Sequence, residues 1–174
     1  DENLKNLIIK KRQKSTSGVI VITVLTSGNP SYEEDGKIIT KTFSCKHNCA
    51  YCPNEKAHEG NGWIDQPRSY LYSEPAVLRA NANDFDPIKQ FNSRLSTLIS
   101  MGHTIDKIEL IVLGGTWTQY PKKYQDWFIT SIYYAANTFY DPRSMYSLEQ
   151  EITTNETAKI HIIGLTLETR PDTI

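Results

Sequence analysis

Long apolar runs are missing from this sequence, and cysteine is scarce. No window approaches the ~20 uncharged apolar residues of a membrane span, and residues 1–14 lack the apolar core of a signal peptide. The only 3 cysteines lie close together, an odd number at a spacing typical of metal ligands rather than of a secreted disulfide framework. Neither charge sign dominates, and the net charge of -1 gives no general attraction to nucleic acid. We therefore expect a cytoplasmic protein without a membrane segment.

Three short apolar runs are typical of β-strands. They cover residues 18–25, 107–113 and 159–167, and the first is predicted to be buried on both faces, as strands of parallel sheets are. Helices are predicted from Glu74-Pro75 to about residue 81 with Ser73 as the cap, from Pro87 to Gly102, from Pro121 to about residue 140, and around residues 148–152. Strands alternating with helices predict an α/β fold with a parallel sheet and outer helices.

Two segments have no usable periodicity. Residues 27–41 are polar and are predicted to connect elements, and residues 54–69 form a long loop. Because long irregular loops in compact domains are commonly functional, the second segment is expected to contribute to a site.

Each predicted strand ends in an unusual sequence. The first leads to the cysteines, the second to Gly114-Gly115-Thr116, and the third to residues 168–172. The carboxyl ends of parallel strands meet at one edge of a sheet, so we predict a ligand site there. Glu168 and Arg170 are the candidate reactive groups; alternatively, these two side chains only pair with each other.

The cysteines follow a C-x3-C-x2-C pattern formed by Cys45, Cys49 and Cys52. Three thiolates can hold a [4Fe-4S] cluster by three of its irons and leave the fourth open to an outside ligand. With Tyr51 before the last cysteine, the pattern resembles the signature of the radical S-adenosylmethionine (SAM) superfamily. The alternative is a structural zinc site completed by His47 or His58.

A basic stretch near the N-terminus consists of Lys10, Lys11, Arg12 and Lys14. It is either a phosphate-binding arm or a solvated arm without a partner.

Several short motifs occur in order along nearly the whole sequence. They include residues 17–18, 49–53, 69–70, 74–75, 79–80, 86–87, 101–109, 113–116 and 168–172. On these motifs the sequence resembles the radical SAM domain of the Elongator catalytic subunit family, which modifies wobble uridines in tRNA.

The resemblance implies the N-terminal part of a partial (β/α)6 radical SAM barrel, with residues 1–16 as a basic arm and residues 17–174 as an incomplete core of three strands. It implies an enzyme that uses a [4Fe-4S] cluster and SAM to modify carbon 5 of uridine 34, with Tyr51 beside the adenine and Gly114, Gly115 and Thr116 beside SAM. Lys122 and Lys123 become secondary phosphate contacts.

In that family acetyl-CoA binds a C-terminal acetyltransferase-like domain, which is absent from these 174 residues. The expectation is therefore a portion of an enzyme that a protein partner or a missing C-terminal half completes. Two other hypotheses stay open: a radical SAM enzyme with another substrate, and a non-catalytic tRNA-binding remnant in which zinc or a cluster braces a loop.

Overall fold

The structure, a computed structural model, describes residues 17–42, 45 and 47–173. These residues contain five strands and four α-helices. The strands are β1 (Val19–Leu25), β2 (Ser31–Glu34), β3 (Lys37–Thr40), β4 (Lys107–Leu113) and β5 (His161–Leu167). The helices are α1 (Pro75–Ala82), α2 (Pro87–Ser100), α3 (Lys122–Thr138) and α4 (Leu148–Asn155).

Strands β1, β4 and β5 form a parallel sheet in the order β1-β4-β5. The β1 and β4 registers run from Val19 opposite Lys107 to Leu25 opposite Leu113, so both strands end at the same level. Strand β5 pairs with the other side of β4 and also ends at this edge. The predicted α/β class, with a parallel sheet and flanking helices, is confirmed.

The main core lies between one face of the sheet and helices α2 and α3. Side chains alternate between the two faces of a strand, and Ile20, Ile22 and Val24 of β1 are buried together with Phe91 of α2. Burying such a side chain stabilises the fold by about 1.5–3 kcal/mol. The prediction that β1 is buried on both faces holds only at its carboxyl end, where Leu25 packs against Val77 and Ala80 of α1. Further back on that face Val21 is 46% exposed.

The helix boundaries follow local signals. Asp86 caps α2 by accepting the Lys89 N–H at 2.8 Å, and Gly102 just beyond the helix has φ 84°, the left-handed geometry that glycine favours. At α1 the cap position is Glu74 rather than the predicted Ser73, and the Glu74 carboxylate accepts the Leu71 N–H instead of capping the helix.

The segment predicted as a polar connection contains a β-hairpin. Strands β2 and β3 pair antiparallel around Asp35-Gly36, and both turn residues have positive φ (51° and 72°), as a type I′ turn requires. Apolar periodicity in the sequence does not reveal this hairpin, because Tyr32 is its only buried residue. It packs against α3, where Lys123 forms an ion pair with Glu34 at 2.5 Å.

Among the described residues, each helix is too short or too polar to cross a bilayer.

Candidate functional site

Two adjoining pockets open at the carboxyl edge of the sheet. The larger, which we call the rim pocket, has a volume of about 500 Å3, within the range of small-molecule sites. The smaller, the thiol pocket, measures about 180 Å3 and contains all three cysteines. Both pockets are lined by Ser69, Gly115, Thr116 and Arg170. The structure therefore brings the three predicted strand ends together in one composite site.

Two of the thiols contact side chains from the ends of β4 and β5. Cys45 Sγ lies 3.4 Å from Thr116 Oγ1, and Arg170 Nη1 donates to Cys49 Sγ at 3.6 Å. Arg170 also binds Asp172 through two hydrogen bonds of 2.9 Å. The cysteine loop thus contacts the edge of the sheet directly. The rim pocket lies at the same edge.

Cys52 has the densest set of donors. Ser69 Oγ lies 2.9 Å and Arg68 Nε 3.4 Å from its sulfur. Partial burial opposes the thiolate form, but the hydrogen bonds from Ser69 and Arg68 outweigh it and lower the pKa of Cys52. The site therefore favours the deprotonated sulfur that metal binding requires.

These residues fit a cluster held by three thiolates. All three thiols are free and partly accessible, and all line one pocket beside a second, larger pocket. Across residues 17–42, 45 and 47–173, no three His, Cys, Asp or Glu side chains are grouped closely enough to hold a single ion. Cluster ligands bind separate irons, so their sulfurs need not converge on one point.

The two histidines considered as zinc ligands occupy different places. His47 lines the thiol pocket and lies 3.6 Å from Asp172. His58 lies outside that lining and caps a short 3-10 helix, where Nδ1 accepts the Gly60 N–H at 3.0 Å and Nε2 contacts Glu55 at 3.1 Å. Of the two, His47 is the one placed to join the thiols.

Glu168 is held in the rim pocket by a partner from the long loop. Tyr70 donates its hydroxyl hydrogen to Glu168 Oε2 at 2.5 Å. Burial and the neighbouring Glu168 carboxylate raise the pKa of Tyr70, so the hydroxyl stays protonated and donates. The alternative in which Glu168 pairs with Arg170 is not what the structure shows, because Arg170 binds Asp172 instead.

The glycines after β4 allow a close crossing of chain segments. Gly114 has φ 134°, and a Cβ there would collide with the Thr26 side chain. Gly115 donates its N–H to the hydroxyl of Tyr120 at 3.2 Å, and that hydroxyl lies 2.7 Å from Thr26 Oγ1. Gly114 therefore has a packing reason as well as a place in the pocket wall, and Gly115 lies in that wall beside it.

The remaining predicted residues are scattered around the site. Tyr51 is 85% exposed at the thiol pocket. Lys122 is paired with Asp126 at 2.8 Å and Lys123 with Glu34, so their role as phosphate contacts stays a prediction. The arm formed by Lys10, Lys11, Arg12 and Lys14 lies outside the described residues.

Sequence reasoning missed the individual roles of Arg68, Ser69 and Tyr70. All three lie at the end of or just after the loop predicted at residues 54–69, and each contacts a predicted site residue. The available signal was the long irregular loop itself, together with the Ser69-Tyr70 motif.

The chain matches no protein-family model, but it is similar to curated proteins over almost its full length. It is 38% identical to the tRNA uridine(34) acetyltransferase of Methanocaldococcus infernus over 95% of this chain and 27% of that protein. It is 37% identical to the protein of that name from Dehalococcoides mccartyi, over 94% of this chain and 30% of that protein. It is 31% identical to Elongator complex protein 3 of Drosophila melanogaster, over 97% of this chain and 28% of that protein.

A solved structure agrees with the sequence comparisons. The archaeal Elp3 of Methanocaldococcus infernus, with residues 1–46 deleted, superposes with a TM-score of 0.56 at 29% identity, covering 90% of this chain and 24% of that one. The chain thus spans less than a third of the length of each of these relatives. The predicted resemblance is confirmed: the chain is homologous to a segment of the proteins named tRNA uridine(34) acetyltransferase and Elongator complex protein 3.

Proposed function

We propose that this chain is the cofactor-binding part of a radical SAM enzyme that modifies carbon 5 of the wobble uridine, residue 34, in tRNA. The observation that carries the proposal is the thiol pocket, in which Cys45, Cys49 and Cys52 adjoin a larger pocket at the carboxyl edge of a parallel sheet. Homology to proteins whose names specify a tRNA uridine(34) reaction supports the substrate.

The three thiolates would hold a [4Fe-4S] cluster, and SAM would occupy the rim pocket. When bound together, the reduced cluster and SAM supply a 5'-deoxyadenosyl radical and methionine by one-electron cleavage of SAM. Gly114, Gly115 and Thr116 would line the amino end of SAM, since small residues leave room for close approach to the backbone. Tyr51, exposed at the mouth of the thiol pocket, would lie beside the adenine.

Glu168 and Arg170 would orient the reacting molecules. Glu168 keeps one carboxylate oxygen bound to Tyr70, which fixes the side chain and leaves the other oxygen to accept from a ligand hydroxyl or amine. Arg170 is fixed by Asp172 and donates to Cys49, so its guanidinium is held next to the thiol pocket. Pre-positioning of such groups lowers the entropic cost of reaching the reactive geometry.

The tRNA contacts would come from two sources. Lys10, Lys11, Arg12 and Lys14 would bind phosphates, and the rim pocket would admit a flipped-out anticodon base. Acetyl-CoA would be bound by a further part of the enzyme or by a partner, because the relatives extend well beyond the matched segment.

Anaerobic reconstitution with iron and sulfide tests the cofactor proposal. We expect about four irons and four sulfides per chain, a broad visible absorption band, and release of 5'-deoxyadenosine from SAM on reduction. Cys49→Ala should lose the cluster and the cleavage, whereas Ala50→Ser, an exposed neighbour in the same loop, should retain both. One tightly bound zinc ion without SAM cleavage would instead support the non-catalytic zinc site, for which His47 is available.

The substrate is tested separately with tRNA carrying tritium at carbon 5 of uridine 34. Tritium release that depends on SAM and reductant, and is lost when cytidine replaces uridine 34, is the expected result. SAM cleavage without tritium release, when acetyl-CoA and the complete enzyme are supplied, would point to another substrate.

A further inference from the structure

Arg68 is a buried cation without a carboxylate partner among the described residues. Arg68 is only 8% exposed. Arg68 Nη2 donates to Asn48 Oδ1 at 2.7 Å, and Nε donates to Cys52 Sγ at 3.4 Å. Ion pairs within the described part of the chain involve other arginines and lysines, including Arg143 and Arg170.

Such a charge is costly to bury alone. A guanidinium that leaves water without an anionic partner loses much of its solvation free energy, and a neutral amide such as Asn48 does not replace that loss. Arg68 nevertheless points into the thiol pocket, where it meets Cys52. The counter-charge must therefore come from the thiol pocket, that is, from the Cys52 thiolate and from the group that the thiolates would hold.

We propose that Arg68 is the fixed counter-charge of an anionic iron-sulfur cluster, held in position by Asn48 and aimed at the cluster through Cys52. This inference rests on the proposed function. Three thiolates make a bound cluster anionic, and one-electron reduction by an external reductant adds a further negative charge. Arg68 therefore stabilises the reduced state more than the oxidised state and raises the reduction potential of the cluster.

Arg170 differs from Arg68 although both touch a cysteine. Arg170 is bound bidentately by Asp172, and its side chain is 31% exposed, so its charge is largely compensated and screened by water. Among the described residues Arg68 has no carboxylate partner, and at 8% exposure it is far less hydrated. The electrostatic effect on the cluster should accordingly come mainly from Arg68. In this proposal Arg68 acts through the cluster and does not touch substrate.

The test is a redox titration of the reconstituted chain, monitored by electron paramagnetic resonance of the reduced cluster. Arg68→Gln should lower the equilibrium constant for one-electron reduction at least tenfold, which corresponds to about 59 mV. Arg68→Lys, which keeps the charge, should recover most of that loss. Arg79→Gln changes an exposed arginine on α1 that donates to the Pro75 carbonyl of its own helix, and it should leave the potential unchanged.

Iron and sulfide content, measured first, separates the two proposals. If the unmodified chain takes up no cluster, the proposed function fails. If it does, and Arg68→Gln keeps the cluster with an unshifted potential, the role of Arg68 is refuted. If Arg68→Gln does not retain iron, the comparison moves to Arg68→Lys. A loaded Arg68→Lys cluster of near-native potential supports the proposal, and failure of Arg68→Lys to load overturns it, because a charge-conserving change should preserve binding.

Discussion

Replacing Glu151 by glutamine should strongly destabilise the chain. The Glu151 side chain is fully buried on α4 and accepts four hydrogen bonds. Arg143 donates two of them, each at 2.7 Å, and the others come from the Tyr146 N–H at 2.8 Å and from Asn137 Nδ2 at 2.7 Å. This network joins α4 to α3 and to the segment between them.

The expected loss follows from what glutamine cannot do. Glu151→Gln keeps one acceptor oxygen but replaces the other with an NH2 group, which faces hydrogen-bond donors and cannot accept from them. The change also leaves the Arg143 guanidinium without its anionic partner. Breaking a buried ion pair costs about 3–5 kcal/mol. Because the Arg143 side chain is 23% exposed and can regain some hydration, we expect the lower end, about 3 kcal/mol. For a chain of this size that corresponds to a fall in Tm of about 6–12 °C.

Urea unfolding followed by circular dichroism measures this loss. The matched control is Glu149→Gln, an exposed residue on the same helix, which should change the free energy of unfolding by less than about 0.5 kcal/mol. If Glu151→Gln were within about 1 kcal/mol of this control, the buried network would not stabilise the fold as argued.

The same pair predicts a pH dependence. Burial opposes ionisation of Glu151, but Arg143 and the other donors outweigh it and hold its pKa below the ordinary value of 4.5. A folded-state pKa below the unfolded value means that the stabilisation is complete above about pH 4.5 and is lost as the pH falls through the folded pKa. The difference in unfolding free energy between the unmodified chain and Glu151→Gln should therefore shrink below pH 4.5 and stay constant above it. A difference that widened on acidification would contradict the assignment.

Three further substitutions test the core and the site edge. Gly114→Ala should lower the free energy of unfolding by about 2–5 kcal/mol, since φ 134° is strained for alanine and the new Cβ meets Thr26. Thermal unfolding measures this loss, and an unchanged Tm would contradict the close approach of Gly114 to Thr26. Gln90→Met should cost about 2–4 kcal/mol because the Gln90 amide satisfies both the N–H and the carbonyl of Leu25 at 2.9 Å; near-native urea stability would show that those groups find other partners. Asp86→Ala should cost about 1 kcal/mol by removing the α2 cap, and Asp86→Asn should restore most of it in the same urea assay.

Local signals predicted the main elements because each is fixed by its own residues. The bounds of β4 matched its apolar run, and Pro87 and Gly102 bracketed α2 as steric preferences require. The hairpin at Asp35-Gly36 was missed because its strands are only 4 residues long and mostly exposed, so only the turn itself gave a signal. Burial of β1 was overestimated because the sequence of one strand does not reveal how much of each sheet face the helices cover.

Local sequence was enough to predict the α/β alternation, the position of the thiols and the strand ends that carry the site, because proline, glycine and apolar periodicity act over a few residues. Which groups meet at that site depends on how the chain packs in three dimensions. The contact between Tyr70 and Glu168 joins residues 98 positions apart, and the partner of Arg170 is Asp172 rather than Glu168. Arg68 acquires its significance only when the loop folds over the sheet edge, since burial without a carboxylate is a property of the folded environment and not of the residue.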